Sequence, residues 1–330
     1  MTAAPGRPAS LSSFFAPESI AIIGASDDIE RIAGRPLHAL RTYGYAGRLH
    51  VVNPTRPVVQ GLPTVARIGD LPGPVDLAIL VVPAKRVLEA ARECAAAGTR
   101  HLVVFAGGFA ETGDAGRDAQ LELQQIGHAG GMRILGPNCL GMINFEARVF
   151  ATFSRAAADW GEAGGAALQR GPRSLAVVTQ SGALGNYMLT QAIEMGLQVG
   201  RWVATGNEVD IEFAEVLEAV IEDPAVCGVL AYLEGARKGP TLVRALRRAR
   251  ELKVPVGLIK VGSTEAGARA VMSHTDALAG DDRVFDALFA ETGALRMHTI
   301  ENLLGLGQLM LRARPAGGNR VLTTISGGER

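Results

Sequence analysis

Short, uniformly apolar runs alternate with amphipathic stretches along most of this 330-residue chain. In the first half the apolar runs are "SIAIIGAS", "LHVVNP", "DLAILVVP", "HLVVFAGGF" and "RILGPNCLG". Amphipathic stretches such as "AKRVLEAARECAAAG" separate them. Strands that are apolar throughout and alternate with helices are typical of a parallel sheet covered on both faces. The first half therefore predicts a doubly wound α/β domain.

The second half of the chain repeats this plan. Its apolar runs are "SLAVVTQSG", "QVGRWVATGN", "GVLAYLEG" and "PVGLIKVG", with helical stretches such as "DIEFAEVLEAVIED" between them. A last run, "RVLTTISGG" at 320–328, has the form of the first strand of another unit. Because a lone strand cannot bury its two faces, we expect the chain to be part of something longer. The predicted fold is α/β, with two consecutive doubly wound parallel-sheet domains and the start of a third.

The domain boundaries are predicted from these runs. We expect the first domain over 12–150, the second over 173–312, and a linker with the first strand of the incomplete third over 313–330. The segment 154–173 is rich in Ala and Gly and has no sustained period, so we expect an exposed connecting loop there.

Composition narrows the class of function. Lys and Arg total 33, as do Asp and Glu, so the chain lacks the basic excess that accompanies nucleic-acid binding. The dense basic run "RALRRARELK" predicts a helix that buries Leu242, Leu246 and Ala249 and exposes its arginines. Three widely spaced cysteines predict a reducing cytoplasm without disulfides or zinc. The absence of a signal core and of a membrane-length apolar run predicts no membrane contact.

Candidate binding residues of the first domain follow predicted strands, where ligands bind in open α/β sheets. Gly24 and Ser26 follow the first strand and precede a helix, so backbone N–H groups there can face a phosphate. The alternative is a glycine used only for tight packing. The second strand ends in Asn53, without the acidic residue that holds the ribose of NAD, and the G-x-G-x-x-G fingerprint is absent. A dehydrogenase that uses a nicotinamide cofactor is therefore disfavoured.

Later loops of the first domain carry further candidates. Lys85 or Arg86, just after the third strand, can meet a phosphate or can simply be solvated. Gly108 lets the backbone approach a slender ligand, and Asn138 can present its amide where the last strand ends. Cys139 has no histidine near it in the sequence to activate it, so a packed thiol is the simpler interpretation.

The second domain offers a different chemistry at its strand ends. Ser181 and Gly182 follow a strand and open a helix, which favours an uncharged anion site. Because no G-x-S-x-G is present, a serine hydrolase is disfavoured. Glu234 ends another strand, and His274 lies in the loop "SHTDALAG". A carboxylate bound to one imidazole nitrogen leaves the other nucleophilic, so His274 is either a phosphoryl acceptor or a structural histidine. The other histidines lack acidic or cysteine partners at ligand spacing, and we assign no metal site.

Eight collinear motifs resemble those of the NDP-forming acyl-CoA synthetases, which include the ADP-forming acetyl-CoA synthetases and relatives of the succinyl-CoA synthetase alpha subunit. They are "GAS…GY.G…VVNP", "VVPA", "GGFAETG", "GPNCLGMIN", "TQSGALG", "TGNEVDIEF", "YLEG" and "SHTDALAG". The match extends from about residue 12 to about residue 312. The resemblance implies a Rossmann-like CoA-binding domain, followed by a flavodoxin-like ligase domain with a phosphohistidine loop.

The resemblance also implies roles for individual residues. His274 matches the phosphohistidine of the family, Glu234 its supporting carboxylate, and Ser181 with Gly182 the phosphate cradle. The residues implied for coenzyme A are Gly24, Ser26, Val82, Pro83 and Lys85 for its nucleotide, and Gly108, Phe109 and Asn138 for its pantetheine arm.

The implied activity is synthesis of acyl-CoA from a small carboxylic acid, with His274 relaying a phosphoryl group between ATP or ADP and an acyl phosphate. Family members bind ATP or ADP with Mg²⁺ in an ATP-grasp module that this chain lacks. The resemblance therefore implies an ATP-grasp subunit or domain as a partner, in a homo- or hetero-oligomer. Asp276 stands where the family usually has glycine, and its carboxylate would repel a phosphohistidine unless it turned away. The alternative function is a non-catalytic CoA-binding regulatory module.

Overall fold

The computed structural model describes residues 11–156, 172–262 and 282–312. In these ranges two mostly parallel sheets follow one another along the chain, as predicted. The predicted third-domain strand at 320–328 and most of the predicted loop at 154–173 lie outside the described residues. At the start of that loop, Ser154 and Ala156 are buried, so the prediction of an exposed segment is wrong there.

The first sheet has the strand order β3-β4-β2-β1-β5-β6-β7. All neighbours run parallel except β3 and β4. Its strands are β1 (Ser19–Ile23), β2 (Arg48–Val52), β3 (Val58–Val59), β4 (Leu62–Val65), β5 (Leu77–Leu80), β6 (His101–Val104) and β7 (Arg133–Leu135). The helices of this part are α1 (Ser12–Phe15), α2 (Arg35–Thr42), α3 (Ala84–Ala96) and α4 (Asp114–Ala129).

The second sheet has the order β14-β13-β12-β10-β11-β8-β9. Its strands are β8 (Gly141–Asn144), β9 (Val149–Thr152), β10 (Ser174–Thr179), β11 (Val199–Ala204), β12 (Val226–Leu233), β13 (Val256–Lys260) and β14 (Leu295–Arg296). The helices around it are α5 (Gly182–Glu194), α6 (Phe213–Ile221), α7 (Gly239–Leu252), α8 (Asp282–Thr292) and α9 (Ile300–Arg312).

Hydrophobic periodicity explains the helices that cover the sheets. In α3 the buried residues are Val87, Ala90, Ala91 and Cys94, which recur at the spacing of one helical face. The predicted basic helix is α7, and it buries Leu242, Leu246 and Ala249 as expected. Its arginines lie on the outer face, where they bind the glutamates of α6 and α8. No helix among the described residues combines the length and apolar composition that crossing a bilayer requires.

Backbone hydrogen bonds link the two halves of the chain in both directions. Strand β8 precedes the predicted boundary at 150 and β9 spans it, yet β8 pairs antiparallel with β11, and the hairpin β8–β9 belongs to the second sheet. In return, the segment 207–211 runs along the end of β7. Its N–H groups donate to Pro137 O, Gly136 O and Ile134 O at 2.8–3.0 Å. The predicted domain boundaries stay a prediction, but each half of the chain supplies backbone partners to the sheet formed mainly by the other half.

A partly buried ion-pair cluster reinforces this junction. Arg133 on β7 contacts Asp210 at 2.9 Å and Glu215 at 2.7 Å, and both acids follow the second sheet's β11. The Asp210 carboxylate also accepts the backbone N–H of Ile134 at 2.9 Å. Burial alone would lower the pKa of the Arg133 guanidinium, but the hydrogen bonds to Glu215 and Asp210 raise it instead. Arg133 therefore stays charged and links the two sheets.

Arg133→Met is expected to destabilise the protein by about 3 kcal/mol, because it leaves two poorly solvated carboxylates without their cation. The matched control is Arg92→Met, since Arg92 pairs with Glu122 where both side chains are about half exposed. That loss should stay below about 1 kcal/mol. Urea unfolding of both variants measures the difference, and equal losses would contradict a stabilising role for the Arg133 cluster.

Candidate functional site

The carboxyl edge of the first sheet holds two predicted residues side by side. Gly24 follows β1, and Val82 follows β5, the neighbour of β1 on the side away from β2. This is the point at which the strand order reverses, where open α/β sheets bind ligands. Gly24 has φ +90°, and an added Cβ would lie 2.8 Å from Val82 Cγ1. Only glycine fits this position, so the packing reason for Gly24 holds whether or not a ligand binds.

The neighbouring predicted residues follow the same two strands, β1 and β5. Ser26 is half-buried, and its hydroxyl accepts the N–H of Asp28 at 3.2 Å. Pro83 is the residue before α3, and Lys85 is exposed in the first turn of that helix. Arg86 lies 3.7 Å from Glu89, whereas Lys85 has no ion-pair partner within the described ranges.

The predicted path toward Asn138 begins at Gly108. Gly108 is exposed with φ +97°, while the Phe109 side chain beside it is only 2% exposed. The backbone at Gly108 is therefore accessible here, whereas the Phe109 ring is not. A Cβ added to Gly107 would lie 3.2 Å from Asn138 Oδ1, so the glycine pair and Asn138 are adjacent.

A polar network anchors Asn138. Its Nδ2 donates to Asn207 Oδ1 at 3.2 Å. The Asn207 amide donates in turn to Gln120 Oε1 at 3.0 Å and to the Glu111 carboxylate. Glu111 also accepts the N–H of Gly108 at 2.6 Å. Burial raises the pKa of Glu111, but the hydrogen bonds from Asn207 and Gly108 outweigh it, so the pKa lies below its usual value and the group is ionised.

The second sheet presents Ser181 and Gly182 at the carboxyl end of β10. Ser181 is the N-cap of α5, and its hydroxyl accepts the N–H of Leu184 at 3.4 Å. A Cβ added to Gly182 would lie 3.2 Å from Leu140 Cγ. Leu140 is two residues beyond Asn138 in the same turn. The predicted end of the pantetheine arm and the predicted phosphate cradle are therefore packed against each other.

Glu234 follows β12, the neighbour of β10, and so lies at the same edge as Ser181. It is 5% exposed, and its backbone is held from two sides. Its N–H donates to Gln180 Oε1 at 2.6 Å, and its carbonyl accepts from Lys260 Nζ at 3.0 Å. His274 lies outside the described residues, so its contact with Glu234 stays a prediction.

Two buried polar residues at this edge escaped the sequence analysis, namely Gln180 and Lys260. Burial lowers the pKa of Lys260 to about 8, although the carboxylate of Asp282 acts in the opposite direction. Its ammonium also lies 4.8 Å from the centre of the Phe285 ring. The sequence signal was a Lys at the end of an otherwise apolar strand, which is unusual for a fully buried position.

Glu208 is the most perturbed carboxyl group here. Its Oε1 accepts from Thr205 Oγ1 at 2.8 Å, from Gln180 Nε2 at 3.0 Å and from the Phe213 N–H at 2.9 Å. Its Oε2 lies 4.0 Å from Arg237. Burial raises the pKa of Glu208 to about 7, although these hydrogen bonds act to lower it.

Two other residues weighed from the sequence have structural roles. Cys139 is buried, its Sγ donates to Val104 O at 3.3 Å, and burial raises its thiol pKa to about 12. It is therefore a packed thiol at neutral pH, as predicted. Asn53 donates to Ala25 O at 3.1 Å and accepts the N–H of Thr55, so it organises the turn after β2.

Glu208→Gln should stabilise the protein more at pH 8 than at pH 5. The folded pKa is raised from 4.5 to about 7, so the contribution of Glu208 to stability is full below pH 4.5 and is lost as the pH rises through about 7. The difference between wild type and variant should grow by about 2–3 kcal/mol between pH 5 and pH 8. Urea unfolding at both pH values measures it, and a pH-independent difference would show that Glu208 has an ordinary pKa.

Two family models match this chain, one over most of its first half and the other over most of its second half. The model described as a CoA binding domain matches residues 18–144. The model described as a succinyl-CoA ligase like flavodoxin domain matches residues 172–310. The first range contains Gly24, Val82 and Asn138, and the second contains Ser181 and Glu234.

Several known proteins are similar to almost the whole of this chain. The alpha subunit of ADP-forming acetate–CoA ligase I from Pyrococcus furiosus is 33% identical, over 97% of this chain and 67% of the relative. The alpha subunit of ligase II from that organism is also 33% identical, over 96% of this chain and 66% of the relative. A solved dinucleotide-forming acetyl-coenzyme A synthetase 1 of Candidatus Korarchaeum cryptofilum, in complex with phosphate and ADP, superposes with a TM-score of 0.81 at 31% identity.

That superposition covers 91% of this chain and 62% of the archaeal protein. The chain thus spans about two thirds of the length of these relatives. The succession of two sheets, the two family models and the collinear similarity to the Pyrococcus subunits together show that this chain belongs to the NDP-forming acyl-CoA synthetase family.

Proposed function

We propose that this chain is the portion of an NDP-forming acyl-CoA synthetase that binds coenzyme A and transfers the acyl and phosphoryl groups. One observation carries the proposal. The turn that holds Asn138 and Leu140 packs against the turn of Ser181 and Gly182, with Leu140 Cγ 3.2 Å from a Cβ added to Gly182. A thiol delivered to the first turn therefore arrives beside an anion held at the second.

Coenzyme A is proposed to lie along the carboxyl edge of the first sheet. The reversal point between β1 and β5 holds its nucleotide, with the Lys85 ammonium near a phosphate. The exposed backbone at Gly108 lets the pantetheine arm pass toward Asn138. The residues assigned to the nucleotide are Gly24, Ser26, Val82, Pro83 and Lys85, and those assigned to the arm are Gly108, Phe109 and Asn138.

The second sheet is proposed to handle the phosphoryl group. A carboxylate is a poor acyl donor, so its oxygen attacks the phosphorus of phosphorylated His274, the P–N bond breaks, and an acyl phosphate forms. The thiol then loses its proton and attacks the acyl carbonyl, the C–O bond to phosphate breaks, and inorganic phosphate leaves. Ser181 and the free N–H groups at the start of α5 hold the phosphoryl oxygens, and Glu234 orients the imidazole. Positioning and charge neutralisation supply most of the rate.

The nucleotide half of the reaction is assigned to a partner. The relatives from Pyrococcus are called alpha subunits of ADP-forming ligases, and the archaeal structure contains ADP and phosphate. We propose that an ATP-grasp subunit or domain binds ATP or ADP with Mg²⁺ and exchanges the phosphoryl group with His274. The acyl substrate is a small carboxylic acid, and the cytoplasm is the proposed location.

This division of labour allows a test on the chain alone. In the reverse direction, acyl-CoA and radiolabelled phosphate should give free coenzyme A, carboxylic acid and an acid-labile label on the protein. A panel of acetyl-, branched-chain, aromatic and dicarboxylic acyl-CoA compounds identifies the acid. His274→Ala should abolish the label, while His298→Ala, which removes an exposed histidine elsewhere, should retain it. Binding of coenzyme A without any label would favour the non-catalytic regulatory module, whose sequence support is Asp276.

Lys85→Met should weaken coenzyme A binding about fivefold, the loss of about 1 kcal/mol expected for one exposed charge pair. The neighbouring Arg86→Met is the control, because Arg86 is already paired with Glu89. Isothermal titration at low and high salt measures both, and the Lys85 effect should shrink as salt rises. Equal losses in the two variants would place the phosphate elsewhere.

A further inference from the structure

Gln180 is fixed by hydrogen bonds from every polar atom of its side chain. Its Oε1 accepts the N–H groups of Glu234 at 2.6 Å and Gly235 at 3.0 Å. Its Nε2 donates to Gly235 O at 2.8 Å and to Glu208 Oε1 at 3.0 Å. Gln180 is 7% exposed and lies between β10 and Ser181, so one side chain ties the loop after β12 to the strand that leads into the phosphate cradle.

The partners determine how the amide is oriented. Two N–H donors from the Glu234 loop require the amide oxygen, and the Glu208 carboxylate with Gly235 O requires the NH₂ group. A leucine of similar size would make none of these bonds. A glutamate would keep the acceptor but would place a second carboxylate against Glu208. The position therefore demands an amide.

Glu208 connects this amide to the acyl side of the site. Its Oε1 also binds Thr205 at the end of β11 and the first N–H of α6, so the carboxylate is fixed in place. The preceding residue, Asn207, sends its amide the other way, to Glu111 and Asn138. Asn207 thus contacts the predicted thiol site, and the next residue, Glu208, contacts Gln180, which holds the Glu234 loop.

We propose that Gln180 is a positioning residue for phosphoryl transfer, which sets the backbone of the Glu234 loop and is itself oriented by Glu208. This inference rests on the proposed function. Gln180 acts through Glu234 and not on the substrate. The expected signature is therefore a slower transfer step with unchanged affinity for coenzyme A, because no contact of Gln180 reaches the first sheet in the described residues.

The test is the rate at which the full chain acquires acid-labile label from acyl-CoA and labelled phosphate. Gln180→Leu should lower this rate about 10- to 100-fold, as supporting shells around functional groups usually do. The concentration of acyl-CoA at half-maximal rate should change less than about threefold. Gln125→Leu, the same substitution on the exposed face of α4, is the matched control.

Gln180→Glu adds a readout that simple destabilisation does not give. The new carboxylate would face Glu208, whose Oε2 lies 4.0 Å from Arg237 on the opposite side. The labelling rate should fall more at pH 8 than at pH 6, because a proton shared between the two carboxylates restores one hydrogen bond. Glu208→Leu should slow labelling more than Glu208→Gln, since glutamine keeps an acceptor at Oε1.

The outcomes separate the two proposals. A wild-type chain that takes no label would overturn the proposed function, and this inference with it. A labelled wild type with equally fast labelling of Gln180→Leu would overturn the positioning role alone. Loss of coenzyme A binding in Gln180→Leu would also overturn it, because the effect would then be general unfolding. Slower labelling with intact coenzyme A binding and the pH response of Gln180→Glu supports it.

Discussion

The backbone pairing between the two sheets is the constraint on which the whole site depends. The hairpin β8–β9 completes the second sheet, while the segment 207–211 covers the edge of the first. Because hydrogen bonds of the main chain set this junction, the carboxyl edges of both sheets have a fixed spacing. The turn at Asn138 consequently meets the turn at Ser181.

Much of the fold could be predicted because its central strands are buried on both faces. Runs such as "SIAIIGAS" and "SLAVVTQSG" need no partner to be recognised, and each became a strand. The hairpin β8–β9 was missed because it begins after a Gly-Pro-Asn turn and its partner, β11, is distant in sequence. Register between remote strands is a tertiary property, which a local pattern does not encode.

The candidate site was predictable only where backbone geometry dictates residue type. Gly24 stands out because its positive φ and its close approach to Val82 require glycine, and the Ser-Gly turn stands out because it leads directly from β10 into α5. Gln180 gave no such signal, since its role comes from partners that folding brings from several elements. A polar residue that positions other residues through hydrogen bonds is recognised from its contacts in the structure and not from the spacing of residues along the sequence. His274 was identified by its motif, and its placement lies outside the described residues.

The interleaving of strands also bears on how such proteins can be rearranged in evolution. A gene break near residue 150 would leave Met142, Ile143 and Phe150 on a fragment without β11. All three side chains are fully buried in the intact protein, and β8, which carries the first two, pairs with β11. Shuffling, fusion and fission of genes in this family should therefore move the two sheets as a single heritable unit and exchange whatever lies around them.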